Sequence, residues 1–251
     1  MYFNGKVYFK FLHSGLYPGL TVIEPPKIEH SKILGDEYVI PGRNGSLFAQ
    51  EADRYRSNAT VTVKFALYKP SYESNYSDES SYHFTLQEVR RWLSGTGKLM
   101  LGDAYGVYYE VQKVEITTDE KTTVNYGIIE ALFTVYPCEF KSTATVVDYQ
   151  IGISNTYSFS LSTDFSEPLY KVQTGSSGGK VTINGKDITV AASETFYIDV
   201  RRRIAYSGTT NKSDKLSGDY ADMVLNNGNN TITTDAGMTF TIVSSRDGYI
   251  I

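Results

Sequence analysis

Apolar and polar residues alternate along several stretches of the chain, and this alternation predicts strands with one buried face. The stretch ATVTVKFALY places four apolar side chains on one side: Val61, Val63, Phe65 and Leu67. The stretches VYYEVQKVEITT (107–118) and NYGIIEALFTVYP (125–137) show the same alternation and predict two further strands. The first half of the chain is therefore expected to be mostly β.

One stretch of the first half, TLQEVRRWLSGTG, has a helical period instead. Leu86, Val89 and Leu93 fall on one helical face. Thr85 and Glu88 have the spacing of a capping box, and Gly95 is a suitable stop. We therefore predict one short helix that starts at Thr85. The polar stretch before it, YKPSYESNYSDESSYHF (68–84), is rich in Ser and Tyr and predicts a long loop.

Residues 24–58 lack a regular period, and we expect extended or hairpin-like arms there. Within them, VIPGRNGSLF (39–48) places Pro, Gly, Asn and Arg between two apolar ends. A metal site, a phosphate loop or a plain turn would each account for such a stretch. Pro fixes φ, and Gly and Asn tolerate positive φ, so the residue types favour a sharp turn at the end of an arm.

After Pro137 the content of Ser, Thr and Asn rises, and short strands recur at the spacing of a sandwich. Three hairpins are predicted: KVTINGKDITV around Asn184-Gly185, ETFYIDVRRRIAYS around Val200-Arg201, and NNGNNTITTDAGMTFTIVSS (226–245). This half has no helical pattern. We expect a jelly-roll-like or galectin-like β-sandwich over 141–251, preceded by a β-rich α+β domain over 1–140.

Charge and apolar runs exclude several classes of function. The chain has 251 residues and a formal net charge of −4, and neither half is basic, which argues against binding to nucleic acid or an anionic membrane. No apolar stretch is long enough for a membrane span, and the first residues lack the pattern of a signal peptide. The single cysteine, Cys138, rules out an internal disulfide and predicts a buried, inert thiol.

The sequence gives little evidence for catalytic or ligand-binding groups. The three histidines are far apart in sequence, and GSSGGKV (175–181) lacks the spacing of a phosphate loop. Asp119-Glu120 and Asp78-Glu79 can be considered as the acid and nucleophile of a glycosidase, but adjacent acids point to opposite faces on a strand and are usually solvated in a loop. We expect no enzyme, no cofactor and no metal site. Arg201-Arg202-Arg203 predicts either a solvated turn or a rim contact with an acidic partner.

Tyrosine is unusually common, with 21 Tyr against 12 Phe and one Trp. This suits half-buried strands and protein interfaces. Sugar-binding sandwiches often stack a ring on the sugar, and six tyrosines of the second half can be considered for this: Tyr157, Tyr170, Tyr197, Tyr206, Tyr220 and Tyr249. A carbohydrate-binding adhesion module is therefore the alternative function, and a polysaccharide-degrading enzyme is a weaker third.

Taken in order, several of these pieces resemble the distal tail proteins (Dit) of long-tailed phages that infect Gram-positive bacteria. VIPGRNGSLF resembles the family's early turn, and LQEVRRWLSGTGKLML resembles its helix and Gly turn before a strand. YPCEF resembles the close of the N-terminal domain, and the later hairpins with RDGYII follow the order of the C-terminal domain. Tyr249 stands where the family often has Trp.

The resemblance implies a structural protein of the virion tail tip that is assembled in the host cytoplasm. Such proteins form a hexameric ring, a homo-hexamer closed by the N-terminal domains, between the tail tube protein and the tail-associated tip protein. DNA passes through the lumen, and the galectin-like domains can carry receptor-binding components. On this basis we expect Arg43 and Asn44 to contact a neighbouring subunit; the alternative is a monomer hairpin with Arg43 in solvent.

Overall fold

Two compact units make up the computed structural model of the chain: 1–140 together with Ile250–Ile251, and 141–249. The structure describes residues 6–10, 12–39, 46–50, 56–68, 78–102, 106–123, 126–142, 149–151, 156–191 and 195–251. Most of these residues lie in strands, and a single α-helix occurs among them. The mainly β fold class is confirmed. None of the described helices is long and apolar enough to cross a bilayer.

The described residues of the first unit form ten strands and helix α1. They are β1 (Val7–Phe9), β2 (Leu12–His13), β3 (Leu20–Val22), β4 (Lys27–Glu29), β5 (Gly35–Val39), β6 (Ser46–Gln50), β7 (Ala59–Tyr68), α1 (Asp78–Trp92), β8 (Gly97–Leu101), β9 (Val107–Thr123) and β10 (Tyr126–Lys141).

Most of these strands form one sheet in the order β2, β1, β8, β9, β10, β7, and both β3 and β4 pair with the outer edge of β7. The predicted alternation along β7 is confirmed, because its four inward-facing apolar residues are fully buried. Lys64 and Glu130 are paired on the other face of β7 and β10. One face of the sheet therefore carries the core, and α1 contributes to that core.

Helix α1 begins at Asp78, so the predicted start at Thr85 is wrong, and so is the predicted loop from Asp78 onward. The rest of that loop, 69–77, lies outside the described residues. Thr85 is buried within the helix, because the apolar stripe extends back to Tyr82, which is 1% exposed. A Cβ at Gly127 of β10 would overlap the Tyr82 hydroxyl, so the glycine makes room for this ring.

The predicted end of the helix is confirmed: α1 ends at Trp92, and Gly95 has φ +76°. Trp92 is 4% exposed, and its indole Nε1 donates to the Phe9 carbonyl at 2.9 Å. Its ring makes edge contacts with Phe9 and Phe65, at centroid distances of 6.4 and 5.9 Å. This tryptophan joins the helix to β1 and β7 at the centre of the core.

The described residues of the second unit form ten strands and no α-helix. The strands are β11 (Tyr149–Ile151), β12 (Thr156–Gln173), β13 (Gly179–Ile183), β14 (Lys186–Val190), β15 (Thr195–Asp199), β16 (Ile204–Ser207), β17 (Thr210–Asn211), β18 (Leu216–Ser217), β19 (Leu225–Thr234) and β20 (Thr239–Ile250).

Strand β12 takes part in two sheets. Its first half pairs with β19, and that sheet continues through β13 and β14 to β18. Its second half lies between β15 and β20, and that sheet continues through β16 to β17 on one side and to β11 on the other. The register shifts between Leu161 and Phe165, where the strand passes from one sheet to the other. Apolar residues of both sheets share one core, as in a β-sandwich.

Two of the three predicted hairpins of this unit are confirmed. Asn184 and Gly185 have φ +49° and +80°, as a type I′ turn requires, and β15 pairs with β16 across the Val200–Arg203 turn. The third hairpin is wrong: β19 pairs with β12 and β13, whereas β20 pairs with β11 and β12. Their short connection crosses between the sheets, a topology that alternation alone does not distinguish from a hairpin.

Asn230 is fully buried in β19, and all of its amide hydrogen-bonding groups are satisfied. Its Nδ2 donates to the carbonyls of Asn226 (2.7 Å) and Gly228 (3.0 Å), while its Oδ1 accepts from Asn184 Nδ2 (2.8 Å) and from the Asn226 N–H (3.0 Å). The side chain thereby fixes both a bend of β19 and the β13–β14 turn.

We expect Asn230→Ala to destabilise the second unit by about 3 kcal/mol, because it leaves several buried groups without partners. Calorimetric unfolding measures this loss. The matched control is Asn229→Ala, since Asn229 is the exposed neighbour of the same type and its replacement should change stability by under about 0.5 kcal/mol. Equal losses for the two variants would contradict the role assigned to the buried amide.

Candidate functional site: the β5–β6 arm

A two-stranded ribbon carries the stretch that the sequence singled out. Strands β5 and β6 are antiparallel, and their register runs from Gly35 opposite Gln50 to Val39 opposite Ser46. Nearer the first unit, Ile33 and Arg56 form a separate antiparallel bridge. We call residues 33–56 the arm. The hairpin-like arm expected from the sequence is therefore present.

The predicted contact residues Arg43 and Asn44 lie outside the described residues, as does the whole segment 40–45. The pairing of Val39 with Ser46 places this segment between two adjacent strand ends. The expectation that Arg43 and Asn44 contact a neighbouring subunit stays a prediction.

Within the described part of the chain, β5 and β6 pair only with each other and form a sheet of their own. A two-stranded ribbon is at best marginally stable in water, because it buries little apolar area and exposes two edges. From Ile33 to Val39 the ribbon spans roughly 20 Å at about 3.3 Å per residue. An element of this kind gains stability when another strand or surface covers it.

The root of the arm is held by local hydrogen bonds. The Ser57 N–H donates to the Lys32 carbonyl at 2.8 Å, and the Lys32 N–H donates to Ser57 Oγ at 2.9 Å. Ser31, the residue before Lys32, is 8% exposed. These contacts fix the place where the two strands of the arm leave the first unit.

Two side chains at the root have groups that no other described residue satisfies. Arg56 has a buried Nε with no hydrogen-bond acceptor among the residues that the structure describes, and Leu34 is 50% exposed. Sequence reasoning missed both, because no period or motif marks them in the stretch from 24 to 58. An acceptor and an apolar surface from another molecule would complement this pair.

The six tyrosines considered for sugar stacking already have partners within the second unit. Tyr170 is fully buried, its hydroxyl donates to the Met223 carbonyl at 2.9 Å, and burial raises its pKa far above the usual value. Tyr197 and Tyr206 stack on each other with centroids 5.7 Å apart. The others also have neighbours: Tyr157 contacts Phe159, the Tyr220 hydroxyl bonds Ser213, and the Lys141 ammonium lies over the Tyr249 ring.

The remaining candidates have structural surroundings. Asp119 accepts from Arg90 Nε at 2.8 Å and so joins β9 to α1. The glycine-rich stretch at 175–181 leads through a turn into β13, as expected from its lack of a phosphate-loop spacing. Cys138 is 6% exposed, which confirms the predicted burial of its thiol. The Arg201–Arg203 run is exposed at the β15–β16 turn, where the Arg202 N–H donates to Asp199 Oδ1 at 3.0 Å.

No group of three or more His, Cys, Asp or Glu side chains that could hold a metal ion occurs among the described residues. Sequence comparison adds nothing further, because no protein-family model and no curated protein sequence matches the chain.

Comparison of folds is informative. The crystal structure of the SPP1 Dit (gp 19.1) protein, described as a paradigm of the hub adsorption apparatus in phages infecting Gram-positive bacteria, superposes with a TM-score of 0.69. The two chains are 9% identical, and the match covers 98% of this chain and 99% of that one. A baseplate structure of phage p2 in its activated conformation matches with a TM-score of 0.43, 10% identity and 98% coverage of both chains. From β1 to β20, the chain therefore has the fold of the SPP1 distal tail protein.

Proposed function

We propose that this protein is the structural hub of a phage tail tip, where it joins the tail tube to the tail-associated tip protein. The observation that carries the proposal is the likeness of fold to SPP1 Dit, which extends over nearly the whole of both chains. The fold alone is compatible with other functions. The arm supplies an independent argument from this chain's own residues.

The arm favours assembly because a further copy of the chain could cover its strand edges and the exposed groups at its root. It pairs with no other strand of the described residues, and its root offers the Arg56 Nε and the exposed Leu34. Head-to-tail contacts of this kind use two different surfaces of each copy, so they close into a ring when the rotation per copy divides a full turn. We propose a hexameric ring formed by the first units.

In such a ring, Arg43 and Asn44 at the end of the arm contact the neighbouring subunit. Arginine is enriched at protein interfaces, and its guanidinium donates charge-assisted hydrogen bonds to a carboxylate. The second unit, 141–249, is a galectin-like sandwich in this proposal and carries receptor-binding components of the tail tip. Its role is structural in the virion, with assembly in the host cytoplasm and no enzymatic step.

We expect Arg43→Glu to weaken ring assembly, because a negative charge at the tip of the arm replaces the donor that faces the neighbour. Light scattering should give the wild-type chain a mass of six copies of 28.0 kDa, and negative-stain images should show rings with an open lumen. The variant should shift toward the mass of one chain at the same concentration.

Arg203→Glu is the matched control, since this substitution makes the same charge change at an exposed turn of the second unit. Loss of rings in the control as well would attribute the effect to net charge. Unchanged assembly of Arg43→Glu would contradict the contact of Arg43. A wild-type chain that stays single even beside tail-tube and tip proteins would overturn the proposed function.

A further inference from the structure

Ile250, the last residue of β20, and Ile251 belong to the first unit, although the rest of β20 belongs to the second. The Ile251 N–H donates to the Pro137 carbonyl in β10 at 3.2 Å. The Ile251 carbonyl accepts from the Ser31 N–H at 3.1 Å and also from the Ser31 hydroxyl. The Ile251 side chain packs against the core of the first unit. A short piece of chain thus lies between β10 and the segment that leads into the arm.

Ser31 connects this contact to the root of the arm. Its neighbour Lys32 exchanges two hydrogen bonds with Ser57, and the next residue, Ile33, forms the bridge with Arg56. Hydrogen bonds therefore join β10 to Ile251 and Ile251 to Ser31, and the chain leads directly from Ser31 to the first residues of the arm.

We propose that Ile251 is a latch that sets the position of the arm on the first unit. The arm has no third strand among the described residues, so its direction depends on what holds its root. Ser31 directs both its N–H and its hydroxyl to one carbonyl, that of Ile251, and Ile251 is in turn held by β10. When these bonds are lost, the root opens and the arm loses its fixed direction.

The latch is a property of the single chain. Only its use, which is to aim the arm at a neighbouring copy, rests on the proposed function. The two can therefore be tested separately, the latch by the opening of the arm and the function by the mass of the assembly.

Two variants remove the latch by different means. Ser31→Ala removes the hydroxyl donor, and Ile251→Pro removes the N–H that donates to the Pro137 carbonyl. Proline is compatible with position 251, because Ile250 before it lies in an extended strand. The control is Ile250→Thr, because Ile250 is 40% exposed and the change leaves the backbone donors in place.

Amide hydrogen exchange of the arm is the measurement, made on full chains matched for oligomeric state by light scattering. We expect the amides of β5 and β6 to exchange about fivefold faster in Ser31→Ala and more than about tenfold faster in Ile251→Pro. Amides of β12 and β19 in the second unit should keep their rates, as should the arm in Ile250→Thr. Arm amides that exchange at the wild-type rate in both latch variants would overturn the inference.

If Ile251→Pro fails to fold, Ser31→Ala alone decides, since a single lost hydroxyl leaves the fold intact and its arm rate is either raised or unchanged. Faster exchange of the arm in a chain that never forms rings supports the latch and counts against the proposed function only. Normal exchange in variants that still form rings overturns the latch and leaves the function standing.

Discussion

A chain in which Asn-Gly replaces residues 34–55 is expected to remain a single copy at concentrations where the wild-type chain forms rings. Ile33 and Arg56 are antiparallel partners, so a two-residue Asn-Gly turn can join them as a type I′ hairpin without moving the root. The variant removes the arm strands and their tip while keeping Lys32 and Ser57. Light scattering and negative staining measure the loss of the ring.

The fold of this variant should survive, because β5 and β6 pair only with each other among the described residues. The single tryptophan, Trp92, lies in the core of the first unit, and its fluorescence therefore reports unfolding of that unit by urea. We expect an unchanged unfolding midpoint. Rings of wild-type mass from the shortened chain would contradict the role of the arm.

Trp92→Ala is expected to destabilise the first unit by about 4 kcal/mol, which is a large part of the stability of an ordinary domain. The substitution empties the space between α1 and the sheet. It also removes the donor to the Phe9 carbonyl and the ring contacts with Phe9, Phe65 and Tyr17. Urea unfolding followed by circular dichroism measures the loss.

Phe84→Ala on the same helix is the control, because Phe84 is 65% exposed. Both changes truncate an aromatic residue in α1 to alanine, and alanine favours helix in each case. We expect Phe84→Ala to change stability by under about 0.5 kcal/mol. A similar loss in the two variants would show that helix propensity rather than core packing determines the result.

Periodicity predicted the strands of the first unit well, because their pairing partners bury one face and leave the other polar. Val61 and Phe65 are inward-facing on β7 by sequence and by structure. The sequence pattern did not predict where helix α1 starts. Tyr82 is buried where Gly127, distant in the chain, leaves space for its hydroxyl, and no local pattern marks that pair.

The sequence likewise predicted one part of the candidate site and not the other. The turn-forming residues of 39–48 predicted a sharp turn within an arm, and the pairing of β5 with β6 fits this. The root of the arm was not predicted, since Ser31, Arg56 and Ile251 meet only in the folded chain and belong to no motif.

What the sequence determined by itself is local: strand alternation, the Asn184-Gly185 turn, the end of α1 at Gly95 and the mainly β class. These follow from side-chain periods and from the φ angles that glycine and asparagine allow. The tertiary structure decided what depends on residues far apart: the passage of β12 between two sheets, the placement of β19 and β20 in different sheets, and the return of Ile250–Ile251 to the first unit. Such contacts depend on the burial of the whole core and on the pairing of all buried hydrogen-bonding groups. Neither can be deduced from a short stretch of sequence.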